Sequence, residues 1–301
     1  MRITFALPAL ITVTALSLAG CTNNAADEAA VSGATDNTDL LAAVQVDEAA
    51  AALLPADLAS AGTLLVGTDA MYPPNEYKDP NGEPTGWAVT LVDATAKRLG
   101  LEVDWEIIGF DSILPNVQGG KYNMGSSSFT DNVERQASVD FIDFYEAGIQ
   151  WAALADATID PEDACGLTVA VQTGTIEDTD ELPARSQKCE EAGKEPITIQ
   201  KYTDQADATN AVLMGKADAM SADSPITGSA VAASDGKLAA VGAAFDTAPY
   251  GFIVGKDSGL QEPIQKAVQS LMDDGTYLKI LTDAGVEAGA IEKATINGAT
   301  E

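Results

Sequence analysis

The sequence predicts an α/β fold with mostly parallel sheets, and three observations point to it. Short apolar, strand-like runs alternate with segments of helical spacing from Thr63 onward. Several of those runs end in small or polar clusters, as strands do where loops hand the chain over to helices. An ordered body of about 240 residues also exceeds what one core usually holds, which predicts two lobes.

The elements follow in order. Leu64-Leu65-Val66 is a short apolar strand ending at Gly67-Thr68-Asp69. Val89 to Leu99 has helical spacing, with Lys97-Arg98 in its last turn and Gly100 as the stop. Leu101 to Ile108 reads as strand, Ser112 to Val117 as a short helix, Gly119-Gly120 as a turn and Lys121 to Ser126 as the next strand. After Cys165 the alternation resumes with a strand over Leu167 to Val171 and a helix over Gln205 to Met214, stopped by Gly215. Ala217 to Ala222 is a strand running into Asp223-Ser224-Pro225, Tyr250 to Val254 another, and Pro263 to Met272 and Tyr277 to Thr282 are closing helices.

The first residues set the compartment. Arg2, the apolar run Ile3 to Leu18 and the small residues before Cys21 make a secretory signal over residues 1–21, too short for a spanning helix. Leu18-Ala19-Gly20-Cys21 resembles a bacterial lipobox, which implies an acylated Cys21 as mature N-terminus and a protein lipid-anchored to the outer face of the cell membrane. An ordinary secretory signal that contains a cysteine is the alternative. Residues 22–60 read as a flexible tether, polar to about Leu40 and then Ala-rich, with a short helix over Leu41 to Leu54.

Composition removes several function classes. With 46 Asp and Glu against 16 Lys and Arg, the net charge is −30, which disfavours nucleic acid. The chain has no histidine, which excludes Ser-His and Cys-His nucleophile pairs. Two cysteines besides Cys21 leave too few soft ligands for a metal site, and neither metal nor cofactor is expected. Cys165 and Cys189 form a disulfide or remain two buried thiols; as a disulfide they contribute about 3 kcal/mol on the chain-entropy estimate.

In doubly wound sheets the ligand lies beyond the C-terminal strand ends, so Thr68-Asp69, Ser126 to Ser128, Thr173 to Thr175 and Asp223 are the candidate site clusters. At these clusters the chain resembles the polar-amino-acid family of bacterial extracellular solute-binding proteins (family 3), which serve ABC importers. The resemblance is carried by Val66-Gly67-Thr68-Asp69 with Tyr72-Pro73-Pro74, Gly86-Trp87, Phe110-Asp111-Ser112, Gly120-Lys121-Tyr122 and Phe129-Thr130 leading to Glu134-Arg135. Val171-Gln172-Thr173-Gly174-Thr175, Ala217-Asp218-Ala219, Asp223-Ser224-Pro225 and Asp274-Gly275-Thr276-Tyr277 extend it through the second half.

The resemblance implies a type II periplasmic-binding-protein-like fold in which two lobes, joined by two crossing strands, close on the ligand. Lobe one spans 61–153 plus 250–301 and lobe two 154–249. The implied partners are an amino-acid-like ligand and an ABC permease, with the protein a monomer. Arg135 is expected to fork onto the ligand's α-carboxylate, although Thr130 and Arg135 stand two residues further apart than is common; a surface ion pair with Glu134 or Asp131 is the plainer reading. Ser126 and Ser128 take the positions of carbonyl and hydroxyl contacts, or form a turn without ligand. Thr175, with the Thr173-Gly174 backbone, offers N–H groups to a carboxylate or caps its own helix. Asp223 matches the aspartate that holds the α-ammonium, or else caps the helix before Pro225. Asp69 and Tyr72 belong to the side-chain end of the pocket. Trp87 is its aromatic wall or plain core. The competing class is a membrane-tethered, dehydratase-like enzyme on the same scaffold.

Overall fold

The computed structural model describes residues 37–300; the expected signal peptide, Cys21 and the polar stretch to residue 36 lie outside them. The strands are β1 (Thr63–Thr68), β2 (Met71–Tyr72), β3 (Glu76–Lys78), β4 (Pro84–Thr85), β5 (Glu102–Ile107), β6 (Met124–Gly125), β7 (Val139–Leu154), β8 (Thr168–Gln172), β9 (Thr198–Tyr202), β10 (Ala219–Asp223), β11 (Leu238–Gly255) and β12 (Ala290–Ile296). The main sheet runs β5-β1-β6-β11-β7-β10-β8-β9, with β12 also on β7. Both flanks are parallel: β1 pairs with β5 and β6, and β8 with β9 and β10. The two long strands β7 and β11 run antiparallel through the middle and join the flanks.

The inner strands β1, β7, β8 and β10 are mostly buried on both faces, whereas the edge strands β5 and β9 keep exposed polar residues. The helix Trp87–Arg98 follows its sequence signals: Lys97 and Arg98 fill the last turn beside the helix's negative end, and Gly100 takes the left-handed φ of +70° that ends it. β7 is buried along nearly its whole length because aromatic and β-branched residues from Phe141 to Trp151 fit a pleated, covered surface.

The apolar residues divide between two sets of cores. Leu64, Leu91, Met124, Phe144, Phe252 and Ile264 belong to one side. Trp151, Val169, Leu182 and Ala219 belong to the other. Along β7 the change falls between Ala147 and Ile149, and along β11 between Phe245 and Tyr250. There the β7–β11 register slips repeatedly, between Val241 and Phe245, between Phe245 and Ala248 and again between Tyr250 and Gly251. Such irregularities bend a strand and re-aim it. Gly148 sits at this crossing because a Cβ would come within 2.7 Å of the Phe245 carbonyl oxygen.

Residues 37–60 differ from the expected tether. Thr38–Ala43, Glu48–Ala51 and Ala56–Ala61 are three short helices. Asp47 caps the second by accepting from the Ala49 and Ala50 N–H groups at 3.0 and 3.2 Å. Ala50 and Leu58 are buried, and Leu40, Leu41, Val44 and Leu54 pack on the first core. The alanines hid these anchors, since a sparse set of leucines and valines suffices once a neighbouring surface is there to receive them. Cys165 and Cys189 are disulfide-bonded, tying the loop before β8 to the helix Leu182–Glu191. No helix among the described residues is long and apolar enough to cross a membrane.

Candidate functional site

The C-terminal ends of β1, β6, β8 and β10 meet where the two sets of cores face each other. Tyr72, Phe110, Ser128, Thr130, Arg135, Thr175, Ile176, Glu177 and Asp223 surround a residual cavity of about 10 Å³ there. The two sides touch across it. Gln172 Nε2 donates to Asp69 Oδ2 at 2.9 Å, and Arg135 Nη2 donates to the Gly174 carbonyl at 3.1 Å. Tyr72 packs with Ala222 and Ile226 from the opposite side. This is a closed arrangement, and the cavity is too small for an amino acid.

Arg135 sits on a one-turn helix, Val133–Gln136, whose start is capped by Asn132: its Oδ1 accepts the Arg135 N–H at 2.8 Å. That turn takes up the two extra residues after Thr130 and brings the guanidinium back to the Thr130 carbonyl at 2.8 Å. The guanidinium lies 6.0 Å from the Phe110 ring centre and 5.9 Å from that of Phe129. Those rings stack on each other at 4.6 Å, and Tyr72 lies parallel to Phe110 at 6.4 Å. Neither a Glu134 nor an Asp131 ion pair holds Arg135.

Asp223 closes β10, and its side chain makes no cap bond to the following helix, so its carboxylate is left for the cavity. Ser128 lines the cavity with a left-handed φ of 50°, strained for a non-glycine residue. A chain of donors fixes it: Trp87 Nε1 donates to Asn75 Oδ1 and Asn75 Nδ2 to Ser128 Oγ, each at 2.8 Å. Trp87 itself is core, packed 4.8 Å from the Tyr145 ring and 6.0 Å from that of Phe144. The aromatic surfaces at the cavity are Tyr72 and Phe110 instead, because Trp87 opens a helix whose first turn points into the sheet.

Ser126 is buried in the loop and outside the lining, its N–H donating to the Gly67 carbonyl; its neighbour Ser127 accepts the Asp69 N–H at 3.1 Å. Thr175 lines the cavity while its hydroxyl donates to the Gln172 carbonyl at 3.0 Å. The Thr173 and Gly174 N–H groups, expected to be free for a carboxylate, are already taken by the Tyr202 carbonyl and by Asp178 Oδ2. The chain goes on into a π-helical turn, Glu177–Glu181, which turns Glu177 inward.

Charge is the dominant feature of the site. Asp69, Glu76, Glu177 and Asp223 are all buried, and Arg135 is the sole cation lining the cavity among the described residues. Burial pushes Glu76 up to about 8 and Asp69 up to about 6, the latter partly offset by the Gln172 bond. Burial, and then the charge of Asp223, raises Glu177; burial raises Asp223 as well. Both Glu76 carboxylate oxygens, Glu177 Oε1 and Gln172 Oε1 lack a hydrogen-bond partner among the described residues. Buried acceptors in such excess match a ligand rich in N–H donors and positive charge, and disfavour an acidic one. Glu76, Glu177, Gln172 and Phe110 were not singled out as site residues by the sequence, Gln172 and Phe110 entering only within the family motifs. Glu177 could have been found from its place just after the Thr173 to Thr175 cluster.

Comparisons with known proteins agree with this geometry. The arginine-binding protein ArgT of Corynebacterium glutamicum is 41% identical over 289 residues, 95% of this chain and 93% of that protein. An ancestral arginine-binding protein solved with arginine matches at a TM-score of 0.67 and 33% identity, over 73% of this chain and 97% of that one. The ancestral amino acid-binding protein AncCDT-1, described as a precursor of cyclohexadienyl dehydratase, matches at a TM-score of 0.64 and 33% identity, over 75% and 96%. The family model for bacterial extracellular solute-binding proteins, family 3, matches residues 64–284, and the chain belongs to that family.

Proposed function

We propose that the protein captures an α-amino acid with a cationic side chain, arginine foremost, and hands it to an ABC permease. The observation that carries this reading is the excess of buried, partly unpartnered carboxylates around a single guanidinium. Arg135 forks onto the α-carboxylate, giving up its bonds to the Thr130 and Gly174 carbonyls. Asp223 takes the α-ammonium, with Ser128 and Thr175 beside it. Asp69 and Glu76 face the side-chain cation, and Tyr72 and Phe110 stack on its flat, apolar stem. The arginine named for ArgT and for the ancestral protein supports the same ligand class.

Lobe one comprises 61–153 plus 250–301 and lobe two 154–249, with the slipped segments of β7 and β11 as hinge. Ligand contacts from both lobes favour the closed state by their differential free energy. Cys21 is acylated and holds the protein, a monomer, at the outer face of the membrane.

An enzyme is the second reading, favoured by Glu177: a buried carboxyl that keeps its proton near neutral pH suits a general acid. The carrier reading is preferred because Glu177 and Asp223 have ligand cations to pair with. Incubating the protein with arginine and following the ligand by mass separates the two. Stoichiometric recovery of unchanged arginine supports the carrier, and a product accumulating beyond one equivalent overturns it.

A further inference from the structure

We propose that Glu177 is itself a ligand-binding residue, forming with Asp223 a two-carboxylate clamp on the ligand's α-ammonium. The inference rests on the amino-acid reading of the site. Glu177 is 1% exposed, lines the cavity with Arg135 and Asp223, and has Oε1 without a hydrogen-bond partner among the described residues. A buried carboxylate oxygen in that position costs free energy until a donor reaches it. No described residue bonds Oε1, whereas an ammonium carries three N–H donors and a positive charge.

Position decides which ligand cation Glu177 meets. The α-ammonium and α-carboxylate are bonded to the same carbon, so the acids beside the carboxylate's partner are the ones that reach the ammonium. Arg135 is that partner, and Glu177 and Asp223 line the same small cavity beside it. The side-chain cation lies several bonds away, towards Asp69, which answers Gln172 from the far side of the cleft. The π-helical turn supplies the geometry: a single wide turn starting at Glu177 rotates that side chain inward while Asp178 caps the Gly174 N–H and pairs with Lys201 at 2.6 Å.

One carboxylate suffices to hold an ammonium; a second makes the site demand a charged amine there. The test is calorimetric titration of native protein and Glu177→Gln with L-arginine and with its 2-hydroxy analogue, which lacks the α-ammonium. The clamp predicts that Glu177→Gln weakens L-arginine more than tenfold and the hydroxy analogue less than twofold. Equal losses on both ligands would mean a structural role and overturn the proposal, as would native-like arginine affinity. The ligand-free melting temperature checks folding, and the variant is expected to melt no lower than native because the amide has no charge to desolvate. Glu177→Ala is the second variant and is expected to show the same selective loss. A native protein that binds no α-amino acid overturns the reading of the site and the clamp with it, an outcome distinct from a native protein that binds while Glu177→Gln binds equally well.

Discussion

Gln172 at the end of β8 donates through Nε2 to Asp69 Oδ2 at the end of β1, a 2.9 Å bond that crosses the cleft between the two sets of cores. In this closed arrangement the glutamine occupies one acceptor of Asp69. Its own Oε1 is left without a partner among the described residues. On the proposed reading, Asp69 is the residue whose charge selects the ligand's side chain. Asp69→Asn is expected to lower the preference for arginine over citrulline, its neutral near-isostere, by about tenfold, the value of one hydrogen bond to a charged group. Competition titration measures the ratio, and an unchanged ratio would place the side-chain cation elsewhere.

Arg135 offers a planar fork to a carboxylate, and lysine offers a point charge. Arg135→Ala removes two charge-assisted hydrogen bonds, each about 1.5–3 kcal/mol, so arginine affinity is expected to fall at least about 100-fold. Arg135→Lys is expected to recover only part of it. Binding assays on the purified variants test this, with circular dichroism as the check on folding; native-like affinity in Arg135→Ala would remove it from the site.

Four buried acids, Glu177 and Asp223 lining the cavity and Asp69 and Glu76 near it, are expected to make closure depend on pH. Glu76, Glu177, Asp223 and Asp69 are all raised above their ordinary values, mainly by burial; Arg135 acts on Glu177 and Asp223 and Lys78 on Asp69, with the neutral phenols of Tyr72 and Tyr250 nearby. A carboxyl raised in the closed form favours that form below its ordinary value, near 4. It loses that contribution as pH rises through the raised value, here about 6 for Asp69 and about 8 for Glu76. The empty protein is thus expected to be more closed at pH 5 than at pH 8, and arginine to erase the difference by replacing protons with fixed cations. Small-angle scattering measures it as a smaller radius of gyration at pH 5 without ligand. A radius independent of pH would contradict this.

The disulfide stands apart from the site. Cys165 and Cys189 enclose a short loop and belong to the core around Val169 and Leu182. Replacing both with alanine is expected to lower unfolding stability by about 3 kcal/mol through the unfolded chain while leaving arginine affinity within a few-fold. Urea unfolding measures the first quantity and titration the second; an unchanged urea midpoint would contradict the expectation.

Much of the architecture was legible because strand ends and helix stops are local. Thr63–Thr68, Trp87–Arg98, Gln205–Leu213 and Gln261–Asp273 lie within a few residues of where spacing and Gly signals place them. The long crossing strands were not legible in full: of β11 only Tyr250 to Val254 reads as apolar. Its first half, with Gly242, Asp246 and Thr247, is held by pairing with β7 and not by burial. The helix Leu182–Glu191 is polar on most of its surface and buries only Leu182 and Cys189, too sparse a pattern to read. In the site, Arg135, Asp223, Thr175, Ser128, Tyr72 and Asp69 lie at or beside the cavity, each following a predicted strand or the Thr130 segment. Trp87 did not, since an aromatic next to a glycine reads alike whether it faces ligand or core. Glu76 and Glu177 were hidden among 46 acids, because no local signal separates a buried carboxylate from a solvated one.

The central claim, that the excess of buried carboxylates makes this a cationic amino-acid carrier, is tested most directly by titrating ligand-free native protein with arginine, lysine, glutamine and glutamate. The predicted result is tight one-to-one binding of arginine, with about 2.7 kcal/mol of stabilisation at a hundredfold excess over its dissociation constant, and no measurable binding of glutamate. Tightest binding of glutamate, or binding of none of the four, would contradict it.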